Sequence, residues 1–517
     1  MLKFGQGLSP KRDAGIWDLM AEPLILALDE GTTSTRAILF GAAGNALAEA
    51  GRPLKQSYPR DGWVEHDPDE IFEASVAVMR EAVEKSGRAM RDVAAIGLTN
   101  QRETVVVWER STGRPIHPAI VWQDRRTAEA CERLRREGHE ARVTTVTGLL
   151  LDPYFSGTKL AWLLDRVEGA RARAAAGELL AGTIDAWLIW KLTGGRVHAT
   201  DATNASRTLL FDIRAQAWSP EMSGLLDVPL SLLPQVKDCA DDFGETEPAL
   251  LGRSIPIRGV AGDQQAALMG QGCVRPGEMK ATYGTGCFLL LNTGETAPLS
   301  RARLLTTVAA RLDGRATYAL EGAIFVAGAA IQWMNEQLGV PGGPKGVERL
   351  AAEARAGHGV VLVPAFTGLG APWWDPDARG AIFGLTRDAG LAEIAQACFD
   401  ASALQTRDLI EAMRADAPEA FHGGVELRID GGMSMSDGFG QRLADLTGVG
   451  VARAAYQETT ALGAALFAGL GAGLYSDIEV AARARPATED FAPQLAQRPR
   501  EAAYARWLDA VARVRTT

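Results

Sequence analysis

Cysteine is scarce: Cys131, Cys239, Cys273, Cys287 and Cys398 are five in 517 residues, odd in number, far apart and without a CxxC pair. That pattern offers neither a disulfide framework nor a thiolate zinc site, and it fits a reducing cytoplasm. Excess positive charge is lacking too. The formal net charge is −10 and Lys and Arg are scattered along the chain, so a nucleic-acid backbone finds no basic footprint. No stretch approaches the roughly 20 apolar residues of a membrane helix. Residues 1–22 carry Lys3, Lys11, Arg12, Asp13 and Asp18 among isolated apolar residues, which reads as no export signal. They form either a flexible extension or the product of an upstream start codon, with Met20 the natural start.

Two nucleotide signatures are also missing, the GxxxxGK[ST] phosphate loop and a GxGxxG between strand and helix, which disfavours P-loop and Rossmann enzymes. What remains is the composition of an ordinary globular protein, 47% hydrophobic and 23% charged. The length exceeds one hydrophobic core and predicts two domains.

Three glycine turns follow apolar runs. Leu24–Leu28 reads as a strand buried on both faces. It breaks into Asp29-Glu30-Gly31-Thr32-Thr33-Ser34-Thr35-Arg36 before Ala37–Phe40 resumes a strand, so a hairpin is expected. The theme recurs as Ala281-Thr282-Tyr283, Gly284-Thr285-Gly286, then Cys287–Leu291, which suggests two related domains. The third turn, Asp430-Gly431-Gly432-Met433-Ser434, follows 425–429, whose alternation predicts a half-exposed strand. The first two turns can wrap a phosphate with close-approaching N–H groups and hydroxyls, or they are plain hairpin turns; the third can carry the adenosine end of a nucleotide, or is a plain tight turn.

Other segments are polar where a core would be apolar. Arg102 and Glu103 lie between two strand-like runs, either as a solvated loop or as a donor and acceptor pair for a polyol. Trp122 ends an apolar run, and Tyr154 sits in the loop Asp152-Pro153-Tyr154-Phe155. Aromatics in such places face either the core or the carbon side of a sugar-like ligand, as Phe288 would. The run 255–262 delivers Asp263 to the start of an Ala-rich helix, either as an N-cap or as a general base toward a substrate hydroxyl.

Taken together, LDEGTTSTRA, GLTNQRET, AIVWQDRRTAE, DPYFSGTKL, TDATNASRTLLF, GVAGDQQAALMGQ, TYGTGCFLLLNTG, ALEGAIFVAGAAIQW and VPAFTGLGAPWWDP resemble the carbohydrate and polyol kinase family, and within it the glycerol kinases. The resemblance implies an α/β chain of two actin-like, ribonuclease H-like ATPase domains with a cleft between them. Residues 23–270 would form the first, with the polyol pocket, and 271–517 the second, with much of the nucleotide site. It implies ATP-dependent conversion of glycerol to sn-glycerol 3-phosphate, the first step of glycerol catabolism, in a cytoplasmic homodimer or homotetramer. Arg102, Glu103, Trp122, Tyr154, Asp263, Gln264 and Phe288 would hold glycerol, with Asp263 the base. Thr32, Thr33, Ser34, Arg36, Thr285, Gly328, Gln332, Gly432 and Ser436 would hold ATP, and Asp29 would help hold Mg²⁺. Domain closure implies a hinge near 262–272.

The chain departs from that family at Glu30, which puts an extra carboxylate beside Asp29, and at Ser436 in the adenine pocket. The segment 247–254 lacks the glycine-rich Gly-Thr-Arg run associated with fructose 1,6-bisphosphate inhibition. No histidine between Phe211 and Gly262 is available to a phosphocarrier protein, so neither control is expected. Arg102-Glu103, Trp122 and DPYFSGTK together favour glycerol over the xylulose or gluconate of sister kinases, and argue against a nucleotide switch without a small substrate. Tyr504, Trp507, Leu508, Val511 and Val514 at helical spacing predict a packed terminal helix.

Overall fold

The computed structural model describes residues 23–485 and 487–516; the expectation of a leader at 1–22 lies outside them. Leu24–Glu30, apolar for its first five residues, is an interior strand. It pairs antiparallel with Ser34–Gly41, Leu24 opposite Gly41 and Glu30 opposite Thr35. Ala46–Pro53 extends this meander, while Val93–Asn100 and Ile257–Gly262 run parallel on the other side. The sheet order is therefore Ile257–Gly262, Val93–Asn100, Leu24–Glu30, Ser34–Gly41, Ala46–Pro53. Helix Pro68–Lys85 starts where the Asp67 carboxylate accepts from the Asp69 and Glu70 N–H groups, and it buries Ile71, Val78, Met79 and Ala82 over the meander.

The second half repeats the plan. Glu278–Tyr283 pairs antiparallel with Cys287–Gly294, which pairs antiparallel with Arg315–Ile324; Glu426–Asp430 and Gly450–Ala454 follow in parallel on the far side. Leu305–Leu312 and Thr488–Phe491 extend the two edges to seven strands. Three antiparallel strands, then two parallel ones, in the same order and direction, make the halves topological duplicates, as the paired turns predict. Strand Glu426–Asp430 is not half-exposed. It lies between Glu278–Tyr283 and Gly450–Ala454 and is buried from Leu427 onward, because Arg428 hides its charge on Glu426, Glu278 and the Gln271 carbonyl.

The halves are joined where helix Asp263–Gly270, leaving the first sheet, packs on helix Thr459–Gly471, leaving the second. A Cβ at Gly463 would overlap the Ala266 carbonyl oxygen, so glycine sets the closeness of the crossing. Helix Thr459–Gly471 continues through Gly469 and ends at Gly471. Terminal helix Gln497–Val514 packs as predicted through Trp507 and Val511, although Leu508 faces solvent. No helix among the described residues is long and apolar enough to cross a membrane. All five cysteines are free and buried.

Candidate functional site

Both hairpin turns are fixed by main-chain hydrogen bonds. In the first, Gly31 N–H donates to Ser34 O at 3.0 Å, Leu54 N–H to Thr33 O at 2.9 Å, and Trp122 Nε1–H to the Thr32 hydroxyl at 2.9 Å. In the second, the Ala327 and Ala329 N–H groups donate to Thr285 O at 2.9 and 3.0 Å, and Gly328 N–H donates to Gly284 O at 3.1 Å. Helix Gly328–Glu336 is thereby docked beneath the Gly284–Thr285–Gly286 turn. The third turn leans on the same hairpin: Gly431 has φ 87° and a Cβ there would lie 2.5 Å from Tyr283 O. Only glycine fits.

Gly432 opens a short 3₁₀ turn and is exposed, as is Gln332, whose amide is bonded to Glu336 at 2.7 Å. Ser436 is the N-cap of helix Asp437–Thr447, accepting from Phe439 N–H at 3.0 Å and donating to Glu348 at 2.5 Å. The first turn is tied to this assembly through Arg36, which ion-pairs with Glu458. The neighbouring Thr459 hydroxyl bonds Asp430, at the head of the third turn, and Asp430 also accepts from Gln271 at 2.9 Å. Polar contacts that cross between the halves thus join the first and third turns, and the second abuts the third at Tyr283.

Beside the turns lies a charged cluster. Arg102 and Glu103 are 3% and 1% exposed, so they are no solvated loop. Arg102 Nε lies 3.0 Å from Asp263 Oδ1, and its Nη atoms donate to Glu321 at 2.6 and 3.3 Å and to Gln265 at 3.3 Å. Arg207 donates from Nε to Glu103 at 2.6 Å and from Nη2 to Glu321 at 2.9 Å. The Tyr154 ring stands edge-on to Trp122 with centroids 5.5 Å apart, and the Arg207 guanidinium lies 5.8 Å from its centroid. Burial, then the Glu103 charge, push the Tyr154 phenol far above its ordinary range, so it stays a hydroxyl. Phe288 is half-buried against the cluster of Leu268, Cys273 and Leu290.

Asp263 is not a cap. Gly262 holds that position without a side-chain bond, and Asp263 is the first helical residue, its side chain 32% exposed. Its Oδ1 takes both Arg102 and the Gln264 N–H at 2.6 Å. Oδ2 has no hydrogen bond among the described residues. The Gln264 side chain accepts from Lys280, whose amine is fully buried, also donates to Thr282 at 3.0 Å, and is pushed below its ordinary range by burial.

Asp29 and Glu30 face opposite ways although adjacent, because successive strand residues point to opposite sides. Glu30 is turned into the core, where the Thr35 and Ser75 hydroxyls donate to it. Burial raises its pKa well above 4.5 and favours the neutral acid. The extra carboxylate expected beside Asp29 is therefore turned away from it, into the core. Burial, then the Asp263 and Glu458 carboxylates, raise Asp29 to about 7 against the pull of Arg36. Among the described residues Asp29 itself has no ion-pair partner, whereas Glu458 is paired with Arg36 and Asp263 with Arg102, and the Asp29 carboxylate oxygens are donors that suit Mg²⁺. Among the described residues no group of three His, Cys, Asp or Glu side chains is placed to hold a metal ion.

The sequence motifs point to Arg102, Glu103, Tyr154, Asp263 and Gln264, and the fold gathers them. They do not point to Arg207, Glu321 and Lys280. A signal for these is present nonetheless: Glu321 and Lys280 are the one charge in the strand-like runs ALEGAIF and MKATYG, and Arg207 is the one basic residue of the polar motif TDATNASRTLLF. An unpaired charge in such a run needs a buried partner.

Two duplicated α/β domains with glycine-threonine turns around a polar cleft define a phosphotransferase on the actin-like ATPase scaffold. Models of the FGGY family of carbohydrate kinases match the N-terminal domain over residues 24–270 and the C-terminal domain over 279–472. A glycerol kinase of Cereibacter sphaeroides is 58% identical over 487 residues, 94% of this chain and 98% of the relative. One of Allorhizobium ampelinum is 56% identical over 492 residues, 95% and 99% of the two chains. The crystal structure of Plasmodium falciparum glycerol kinase with ADP superposes with a TM-score of 0.90 at 33% identity, covering 95% of this chain and 98% of that one. The chain belongs to the FGGY family of carbohydrate kinases.

Proposed function

We propose that this kinase transfers the γ-phosphoryl group of ATP to a primary hydroxyl of glycerol, releasing sn-glycerol 3-phosphate and ADP. The observation that carries the reading is the half-exposed Asp263, steered by Arg102 through one oxygen and, among the described residues, unbonded at the other. Oδ2 accepts the hydroxyl proton as the alcohol oxygen attacks phosphorus in line. Glu103, Arg102 and Tyr154 supply the acceptors and donors a polyol needs, Gln264 lies beside them, and Trp122 and Phe288 line its carbon side.

In the same reading Thr32, Thr33, Ser34, Thr285, Gly328, Gln332, Gly432 and Ser436 receive the nucleotide, and Arg36 lies by the transferring phosphate. Exposed main-chain N–H groups at the turns stabilise charge on its oxygens. Asp29 would hold Mg²⁺ through coordinated water, and the bound ion would neutralise phosphate charge. Domains 23–270 and 271–517 close about 262–272 to exclude water, in a cytoplasmic homodimer or homotetramer.

The test is ADP release measured against a panel of polyols and ketoses. Saturable turnover on glycerol is expected, and preference for a five-carbon ketose would overturn the assignment.

A further inference from the structure

Arg102 and Glu103 are charged groups buried side by side, and each has a partner that the substrate does not supply. Glu103 is held in a backbone conformation with φ 63°, uncommon for a side chain other than Gly, Asn or Asp. Its carbonyl is anchored by the Ser156 hydroxyl at 3.1 Å and the Lys159 amine at 3.4 Å. That fixes where the side chain starts. Where it ends is fixed by Arg207 Nε, 2.6 Å from Oε1. Arg207 in turn lies just beyond a short helix, Ala202–Ala205, which the Asn204 amide locks to Asn100 through two reciprocal bonds of 3.0 and 3.1 Å.

Glu321 arrives from the other half of the molecule. It lies within strand Arg315–Ile324, opposite Leu290 on one side and Leu305 on the other, so its Cα is held by two ladders. From there one carboxylate accepts from Arg102 at both Nη atoms and from Arg207. Burial works against its charge, yet Arg102 and Arg207 together hold it down to about 2.

The charges in this cluster balance without Asp263. Two buried guanidiniums face two buried carboxylates, Glu103 and Glu321. Asp263, the third carboxylate at Arg102, is then not required as the sole counter-ion. Without Glu321 the Arg102 fork would lose its two-pronged acceptor and turn toward Asp263 or Glu103, the groups that the proposed glycerol site needs free.

Building on the glycerol kinase reading, we propose that Arg207 and Glu321 are positioning residues of the polyol pocket. Arg207 aims Glu103 and Glu321 aims Arg102, so the pocket of the first domain is completed by a residue of the second. Neither residue takes part in phosphoryl transfer. Their contribution is felt in how well the polyol is held.

The test begins with wild-type enzyme and glycerol; absence of turnover there sinks the glycerol assignment itself, an outcome separate from any effect of the variants. Glu321→Gln keeps the shape and removes the charge, and Arg207→Lys keeps the charge and removes the fork. Each is expected to raise the glycerol KM about tenfold to a hundredfold, the range set by losing a hydrogen bond between charged groups, while the ATP KM stays within about twofold. Glu321→Asp, which restores charge on a shorter stem, is expected to recover part of the loss. If Glu321→Gln fails to fold, Arg207→Lys carries the test by itself, since it preserves the buried charge balance. Folded variants with unchanged glycerol KM, or with glycerol and ATP KM raised alike, overturn the proposal, because a merely structural role does not single out the polyol.

Discussion

Asp263 Oδ1 lies 3.0 Å from Arg102 Nε, and the same oxygen accepts the Gln264 N–H at 2.6 Å. One oxygen is thus spent on orientation, which leaves the other for the proposed role of proton acceptor. The carboxylate sits on the first turn of a helix whose far end is packed between the domains, so its position is set by the fold and not by a loop. Asp263→Asn keeps the size and one acceptor oxygen but cannot take a proton at neutral pH. The expected loss is about 10²–10⁴ in kcat, the usual scale of general-base help. ATP binding by calorimetry is expected to survive, because the glycine turns are untouched. Near-wild-type turnover would remove Asp263 from the mechanism.

Glu30 yields a prediction about pH. Burial lifts its pKa well above the ordinary 4.5, against the Thr35 and Ser75 hydrogen bonds. Below pH 4.5 both folded and unfolded chains hold the proton and folding loses nothing. As pH rises past that value the unfolded chain ionises while the folded one does not, so stability falls until the folded pKa is passed. Each unit of separation is worth about 1.4 kcal/mol. Glu30→Gln offers the same hydroxyls an acceptor without a proton to lose. The variant should gain stability over wild type at pH 8 and gain less at pH 5, measured by denaturant titration. Equal gains at both pH values would show that ionisation of Glu30 is not the cause.

Much of this architecture is legible in the sequence. The two hairpins can be read because apolar runs flank turns of glycine and threonine, and local chemistry decides such turns. The place of Asp263 at a helix start can be read because a strand runs into it. Two kinds of fact are not legible. Whether 425–429 is an edge or an interior strand depends on which strands pair with it, and Arg428 imitates a solvent-facing position until its partners are known. The direction of Glu30 depends likewise on the helix that brings Ser75 over the sheet. Glu321 and Arg207 lie 114 residues apart and meet only through the docking of two domains, which no periodicity within either segment records.

Asp408 anchors the terminal helix. Its carboxylate accepts from Trp507 Nε1–H at 2.8 Å, Trp373 Nε1–H at 3.1 Å and the Tyr504 hydroxyl at 2.9 Å. Asp408→Ala strips one acceptor from three donors, and a buried donor left unsatisfied costs about 1–3 kcal/mol. A loss of about 3 kcal/mol or more is expected, felt first as protease sensitivity within helix Gln497–Val514. Asp408→Asn, which retains an acceptor oxygen, should be milder. Equal effects from the two variants would mean that packing, and not these hydrogen bonds, holds the helix.

The helix crossing ties stability to catalysis. A Cβ at Gly463 would overlap the Ala266 carbonyl and come within 3.0 Å of Gly270 N. Both obstacles are backbone, so no side chain can turn aside, and the helices must separate. Helix Asp263–Gly270 carries the proposed base at its other end, and displacement of about 1 Å at a reacting group can cost about a hundredfold. Gly463→Ala should therefore lower both thermal stability and kcat. A change to Ala at Gly450, where a Cβ meets nothing within 4 Å, serves as the control and should alter neither by a comparable amount. If Gly463→Ala lowers the melting temperature while kcat at 25 °C stays at the wild-type value, the crossing supports the fold but does not set the position of Asp263.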